Sequence, residues 1–148
     1  MKGMTWDELA AGFVMRTQRR TITEWELMSF VTMAGFLEPL FIDAEESSAN
    51  GRLVPAALTF TLAEGLVIST GVLHGTGIAF LGANLHVLAP VYVGNTITVE
   101  IEVTESRATS DGKRGIVVTH NQVIVNDQPK LWYDVTRMVK GSEVSPDA

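Results

Sequence analysis

The sequence predicts an α+β fold in which an antiparallel sheet wraps around one long central helix. Three observations predict it. First, the stretch Leu53–Leu73 (LVPAALTFTLAEGLVISTGVL) carries one charge, Glu64, which is also the only formal charge between Arg52 and Glu100. Leu58, Leu62 and Leu66 recur at every fourth position, and Ala56, Phe60, Ala63 and Val67 cover much of the rest. A helix apolar nearly all round is a buried helix. Second, Ile97, Val99, Ile101 and Val103 alternate with Thr98, Glu100, Glu102 and Thr104, the pattern of a half-buried antiparallel strand. Third, Ser110-Asp111-Gly112-Lys113 and Asn126-Asp127 are turn signals that link this strand to Gly115–Val125 and then to Lys130–Val139. Consecutive hairpin-linked strands after one buried helix make an α+β meander.

The composition narrows the class. A chain of 148 residues with 46% hydrophobic and 19% charged residues is one globular domain with a real core. Eleven basic against 17 acidic residues give a net charge of −6, which argues against a general nucleic-acid binder. No cysteine is present, which excludes disulfides, thiolate metal sites and a cysteine nucleophile. Thr59, Thr61 and Glu64 inside the apolar run, and the sheet pattern after it, argue against a membrane span. The start, MKGMTWDELAAG, lacks the apolar core of a signal peptide, so a cytoplasmic protein is expected. No cofactor fingerprint is found: Gly71 and Gly75-Thr76-Gly77 fit neither a phosphate loop nor a dinucleotide motif and read as turns.

Taken in order, Thr5–Leu9 reads as a short helical turn and Phe13–Arg20 as an edge strand. Thr23 and Glu26 form a capping box, with Ile22 and Leu27 as the hydrophobic staple around it. Leu27, Phe30, Val31 and Ala34 make one apolar stripe, and Gly35 is the stop. Phe36–Asp43 is predicted to be irregular, because Pro39 restricts Glu38 to extended backbone. Asp43 caps a turn through Ser48, closed by Asn50-Gly51, and the central helix follows with Pro55 in its first turn. Ile78–Leu88 is a strand ending at Pro90, and the tail Gly141–Ala148 is expected to fray.

Four blocks carry a family resemblance. Thr21-Ile22-Thr23-Glu24 enters the first helix; Gly35-Phe36-Leu37-Glu38-Pro39-Leu40-Phe41-Ile42-Asp43 follows it; Arg52-Leu53-Val54-Pro55 precedes the central helix; Ala89-Pro90-Val91-Tyr92-Val93-Gly94-Asn95-Thr96-Ile97 leads into the meander. Together they resemble the MaoC-like (R)-specific enoyl-CoA hydratase/dehydratase family, over roughly Arg19 to Met138. The resemblance implies a single hot-dog fold. It also implies a homodimer or higher homo-oligomer, or a heteromer with another MaoC-like chain, and a pocket for an acyl-CoA or acyl-carrier thioester at the dimer interface. The second block stands where the family carries Gly-Asp-x-Asn-Pro-Leu-His-x-Asp, whose Asp and His are the catalytic dyad. Here those positions are Phe36 and Phe41, which neither donate nor accept a proton. The motif's Asn is Glu38, and the glycine at the helix start is Ala56, whose backbone N–H keeps an oxyanion-type site possible there.

The candidate residues follow. Glu64 reads either as a pocket acid, base or nucleophile, in kind like the helix carboxylate of some hot-dog thioesterases, or as a paired carboxylate bound to backbone or Arg52. Glu38 reads as a substitute base or as a solvated loop carboxylate. Phe36, Phe41, Ala56, Ala57, Thr61 and His86 are the candidate substrate-binding set, His86 because its strand flanks the expected pocket. Phe36, Phe41, Phe60 and Phe80 read as the lining of an apolar tunnel or as plain core. Thr61 alternatively bonds back to its own helix, and His74 alternatively caps the helix C-terminus. His74, His86 and His120 lack metal-ligand spacing, and no metal site is expected. Three functions remain open. One is hydration or dehydration with Glu38 or Glu64 in place of the dyad. The second is thioester hydrolysis through Glu64. The third is a non-catalytic binding subunit paired with a dyad-bearing partner.

Overall fold

In the computed structural model, which describes residues 1–142, the chain folds as a curved antiparallel sheet holding one long helix. The elements in order are β1 (Val14–Arg16), β2 (Arg20–Thr21), α1 (Glu24–Ala34), α2 (Pro39–Ile42), β3 (Leu53–Val54), α3 (Ala56–Ser69), β4 (Gly77–Val87), β5 (Val91–Tyr92), β6 (Thr96–Ala108), β7 (Arg114–Val125) and β8 (Gln128–Lys140). The sheet order is β1-β6-β7-β8-β4, with β2 also on β6, and β3 pairs with β5 in a separate ribbon. The predicted meander is present. Ile97, Val99, Ile101 and Val103 are buried along β6. Asn126 and Asp127 take left-handed φ values of 49° and 62°, which suit the twist of a two-residue hairpin between β7 and β8.

α3 lies on the concave face of the sheet. Its Leu58, Leu62, Ala63, Leu66 and Val67 pack into one cluster with Ile97, Val99, Val123, Leu131, Tyr133 and Val135. A second, smaller cluster forms at one end of the sheet from Leu9, Val103, Val117 and Val139, flanked by Trp6. There Trp6 lies so close over β7 that a Cβ at Gly115 would stand 2.1 Å from its ring. Only glycine fits beneath that indole.

One directional contact joins α3 to β8. Both carboxylate oxygens of Glu64 accept hydrogen bonds from the Arg137 guanidinium, at 2.6 and 2.7 Å. Tyr133 donates its hydroxyl to the same carboxylate at 3.0 Å. Burial pushes the Tyr133 hydroxyl well up from its ordinary value, and the neighbouring Glu64 charge adds to that, so it remains a donor. Arg137 also lies over the Phe80 ring, 5.5 Å from its centroid. Glu64 is therefore held by β8, and Arg52 is not its partner. Arg52 pairs with Glu24 and donates to the Phe41 carbonyl, tying α1 to the segment before α3.

Several expected boundaries move. The helix starts at Ala56, because Leu53 and Val54 leave it to pair with Tyr92 and Val91; Pro55 becomes its N-cap. It ends at Ser69, where the Thr70 hydroxyl donates to the Val67 carbonyl and Gly71 turns left-handed at φ 79°. It is buried on one side only: Ala57, Thr61, Gly65 and Ile68 are exposed. Phe36–Asp43 is not wholly irregular, since Pro39 opens the short helix α2. Phe13–Arg20 is two short strands, interrupted where the Thr17 hydroxyl takes the Val99 N–H at 3.0 Å. Ala34 is exposed, so the α1 stripe stops at Val31. In the expected tail, Gly141 donates to the Lys113 carbonyl at 3.1 Å and Ser142 bonds Asp7 at 2.8 Å; positions 143–148 lie outside the described residues.

The start of α1 follows its sequence signal. Ile22 and Leu27 are buried on either side of the cap, and the Glu26 carboxylate receives the Thr23 backbone N–H at 2.9 Å as well as the Thr23 hydroxyl. Burial alone would raise the Glu26 carboxyl, but the Thr23 hydroxyl, the backbone N–H groups and Arg20 outweigh it and bring it from 4.5 down to about 2. A lowered folded value means that this contribution to stability is complete above pH 4.5 and is lost as pH falls toward about 2. Glu26→Gln is expected to flatten the acid side of the stability profile across that window, checked by thermal unfolding at pH 3 and pH 6; an unchanged profile would show that Glu26 carries none of it. For the α3–β8 contact, Glu64→Gln leaves the Arg137 charge without its counter-ion and is expected to cost about 2–4 kcal/mol in urea unfolding. The pair Glu64→Leu with Arg137→Met is expected to recover most of that loss.

Candidate functional site

A mainly apolar cavity opens at the N-terminus of α3. It has a volume of about 350 Å³ and is lined by Phe41, by Leu53 to Ala56 and Thr59, by Val87 to Val91, and by Leu131. Each contributor is positioned by the fold. The β3–β5 ribbon brings Leu53 and Val54 beside Val91, the end of β4 supplies Val87, and β8 supplies Leu131 as the floor. Arg52 holds the Phe41 carbonyl at 2.5 Å and so sets that ring at the rim.

The chemistry of this cavity is one-sided. Pro55 precedes the helix, and the backbone N–H groups of Ala56 and Ala57 have no acceptor among the described residues. Such N–H groups, at the positive end of the helix dipole, attract an oxygen that carries partial or full negative charge. Thr59 lies one turn further in, fully buried, and its hydroxyl has no partner among the described residues. None of the lining residues has a titratable side chain. The site can hold a carbonyl oxygen at its mouth and an apolar chain behind it.

The residues expected from sequence divide accordingly. Phe41 and Ala56 line the cavity, whereas Ala57 is exposed and is not among its lining residues. Phe36 packs behind Phe41, with ring centroids 6.2 Å apart, and edge-on against Phe30 at 5.1 Å. Phe60 and Phe80 stand elsewhere, 6.4 Å from each other with Phe60 edge-on to Tyr133, so the four rings make two groups and no single tunnel. Thr61 is exposed and bonds the Ala57 carbonyl at 2.8 Å. Glu38 is exposed as the N-cap of α2 and does not reach the cavity lining. Glu64 is held two turns further along α3 by Arg137 and Tyr133.

His86 needs a correction. Its strand does flank the cavity through Val87, but His86 pairs with Trp132 and stacks on it at 4.1 Å, on the face of the sheet opposite Leu131 and Tyr133. Alternation along a strand sends neighbours to opposite faces. His120 lies on that same outer face and bonds Asp134 at 2.7 Å. His74 is exposed, and the Thr70 hydroxyl takes the role expected of it at the end of α3. Thr59 is the residue that sequence reasoning passed over. Its signal was a hydroxyl three positions after Ala56 on the same side of the helix as Leu62 and Ala63. Among the described residues, no group of three or more His, Asp and Glu side chains is placed to hold a metal. No helix of the described chain is long and apolar enough to cross a membrane.

No protein-family profile matches the chain, and no curated protein matches it in sequence. Solved structures do. A MaoC-like dehydratase from Rhodospirillum rubrum superposes with a TM-score of 0.85 at 19% identity, covering 96% of this chain and 100% of the other. The HadBC (3R)-hydroxyacyl-ACP dehydratase complex from Mycobacterium tuberculosis gives 0.73 at 17% identity, over 86% and 96%. A Mycobacterium tuberculosis protein with a double hot-dog fold gives 0.83 at 20% identity, over 99% of this chain and 46% of that one. With its curved antiparallel sheet of order β1-β6-β7-β8-β4 around α3, the chain has the hot-dog fold of the MaoC-like dehydratases.

Proposed function

We propose that this protein binds an acyl-CoA or acyl-carrier thioester in the α3 cavity, as a subunit of hydratase/dehydratase type whose proton-transfer groups come from a second, dyad-bearing chain. The observation that carries this is the lining: hydrogen-bond donors for a thioester carbonyl and an apolar recess, with no acid or base within it. General acid–base catalysis needs a titratable group within hydrogen-bond reach of the reacting carbon's substituents. Phe36 and Phe41 occupy the positions that carry the dyad in the family the sequence resembles. Glu38 points away into solvent, and Glu64 has both oxygens committed to Arg137.

A second chain also has a place to dock. β4 pairs with β8 on one side only, and its other edge carries exposed Ile78, Phe80, Leu81, Leu85 and Val87. Beside it the open side of α3 exposes Ile68. A long apolar edge of this kind is a template for another strand. The HadBC (3R)-hydroxyacyl-ACP dehydratase, itself a complex, supports pairing of unlike chains on this fold.

The test is incubation of the purified protein with enoyl-, 3-hydroxyacyl- and saturated acyl-CoA, followed by mass spectrometry and by calorimetric binding. Binding with every thioester returned unchanged is the expected result. Gain or loss of one water by the protein alone would replace this reading with a self-sufficient hydratase, and Glu38→Gln and Glu64→Gln would then locate its acid. Release of free CoA would replace it with a thioesterase. Sedimentation is expected to show association that Leu81→Lys combined with Leu85→Lys abolishes.

A further inference from the structure

Three stretches of chain meet beyond the C-terminal end of α3. The N-terminal segment lies against the turn that follows the helix. There the Gly3 N–H donates to the His74 carbonyl at 2.8 Å, and a Cβ at position 3 would stand 2.5 Å from the His74 backbone. The end of β8 joins the same turn. The Lys140 N–H donates to the Thr76 carbonyl at 2.8 Å, and the Lys140 carbonyl takes the Trp6 N–H at 3.0 Å. These bonds frame a recess of about 330 Å³ whose lining includes Lys2, Thr5, His74, Gly75, Thr76 and Lys140. Lys2, His74 and Lys140 are all exposed there, in a chain whose net charge is −6. No carboxylate lines the recess, and neither lysine enters an ion pair among the described residues. The acids of the N-terminal segment are committed elsewhere: Asp7 accepts from the Ser142 hydroxyl at 2.8 Å, and Glu8 accepts the Thr5 N–H at 2.9 Å. The last carbonyls of α3 are also taken, that of Val67 by Thr70 and that of Ile68 by Gly71. The Gly75 N–H has no acceptor among the described residues. The Thr76 hydroxyl is enclosed and offers the recess nothing.

We infer that this recess is an anion site for a phosphate- or diphosphate-bearing small molecule, held by Lys2 and Lys140, by a ring N–H of His74 and by the Gly75 N–H. Two ammonium groups gathered without a counter-ion repel each other, and a bound anion turns that cost into a gain. Ammonium groups take phosphate as point charges, and a dianion matches two of them. A histidine ring offers an N–H in either tautomer, and a backbone N–H adds a fixed donor. The recess is larger than a phosphate group, so the phosphate arrives on a larger body. This recess and the α3 cavity stand at opposite ends of α3, whose 14 residues span about 21 Å. The recess is therefore a second site, and the inference does not depend on what the cavity binds.

The experiment is calorimetric titration of the full chain with sodium pyrophosphate at low ionic strength, for the parent protein, Lys2→Gln, Lys140→Gln, the double variant and Lys130→Gln. The parent is expected to bind one pyrophosphate per chain, more weakly as salt is added. Each single variant at the recess is expected to bind about tenfold more weakly, and the double variant not at all. Lys130→Gln, at the start of β8 and outside the recess, is expected to match the parent. In an amide NMR titration of the parent, the Gly75 signal is expected to move with the same midpoint. Absence of saturable binding by the parent overturns the inference, as does a double variant that keeps the parent's affinity. So do shifts confined to the arginines of β1 and β2, which would place the anion elsewhere. Repeating the titration with excess butyryl-CoA is expected to leave the pyrophosphate affinity unchanged. Displacement of pyrophosphate by the thioester would make the recess part of the thioester's own site and overturn its independence.

Discussion

The Glu64–Arg137 ion pair, with Tyr133 as its third member, is the contact on which the geometry of the molecule depends. Apolar burial drives α3 onto the sheet, but that force has no direction and tolerates a helix that slides or rotates by one residue. A charged hydrogen bond from the Arg137 Nη2 to both Glu64 oxygens, joined by the Tyr133 hydroxyl, tolerates it far less. Because Glu64 lies mid-helix and Arg137 and Tyr133 lie on β8, the contact fixes α3 both along its axis and in rotation. Its energetic return is small next to the cost of drying two charges, so its value lies in register.

That register determines what meets at the other end of the helix. With α3 fixed, Ala56 and Thr59 are set against Val91, Val87 and Leu131. The result is a recess with donors and no titratable group. Arg52 completes it by holding the Phe41 carbonyl, and the Phe41 residue lines the cavity. The histidines and acids of the sheet are on the other side: His86, His120, Trp132 and Asp134 form a polar outer face that the cavity does not touch.

The exposed edge of β4 and the open side of α3 follow from the same arrangement. The sheet has closed around only half of the helix, so the apolar residues predicted to be buried all round are covered on one side. Backbone groups along β4 and side chains such as Ile68 and Leu81 remain in water. The apolar excess of the central stretch is thus only partly covered when one chain packs against itself.

Local pattern alone determined a good deal about this protein. The two-residue alternation of Ile97 to Val103, the turn pair Asn126-Asp127, the capping box at Thr23 and the existence of a central helix each depend on neighbours within a few positions. Hydrophobic period and turn chemistry encode such features directly. What tertiary structure decided depends on residues far apart in the chain. Leu53 and Val54 leave the helix because Val91 and Tyr92 offer them a ladder. Glu64 finds its partner 73 positions away. His86 belongs to the outer face because of its register with Trp132, and Thr59 is unpartnered because Pro55 and the cavity wall leave it no acceptor. Register and the inventory of hydrogen-bond partners are sums over the whole fold, and no window of sequence contains them.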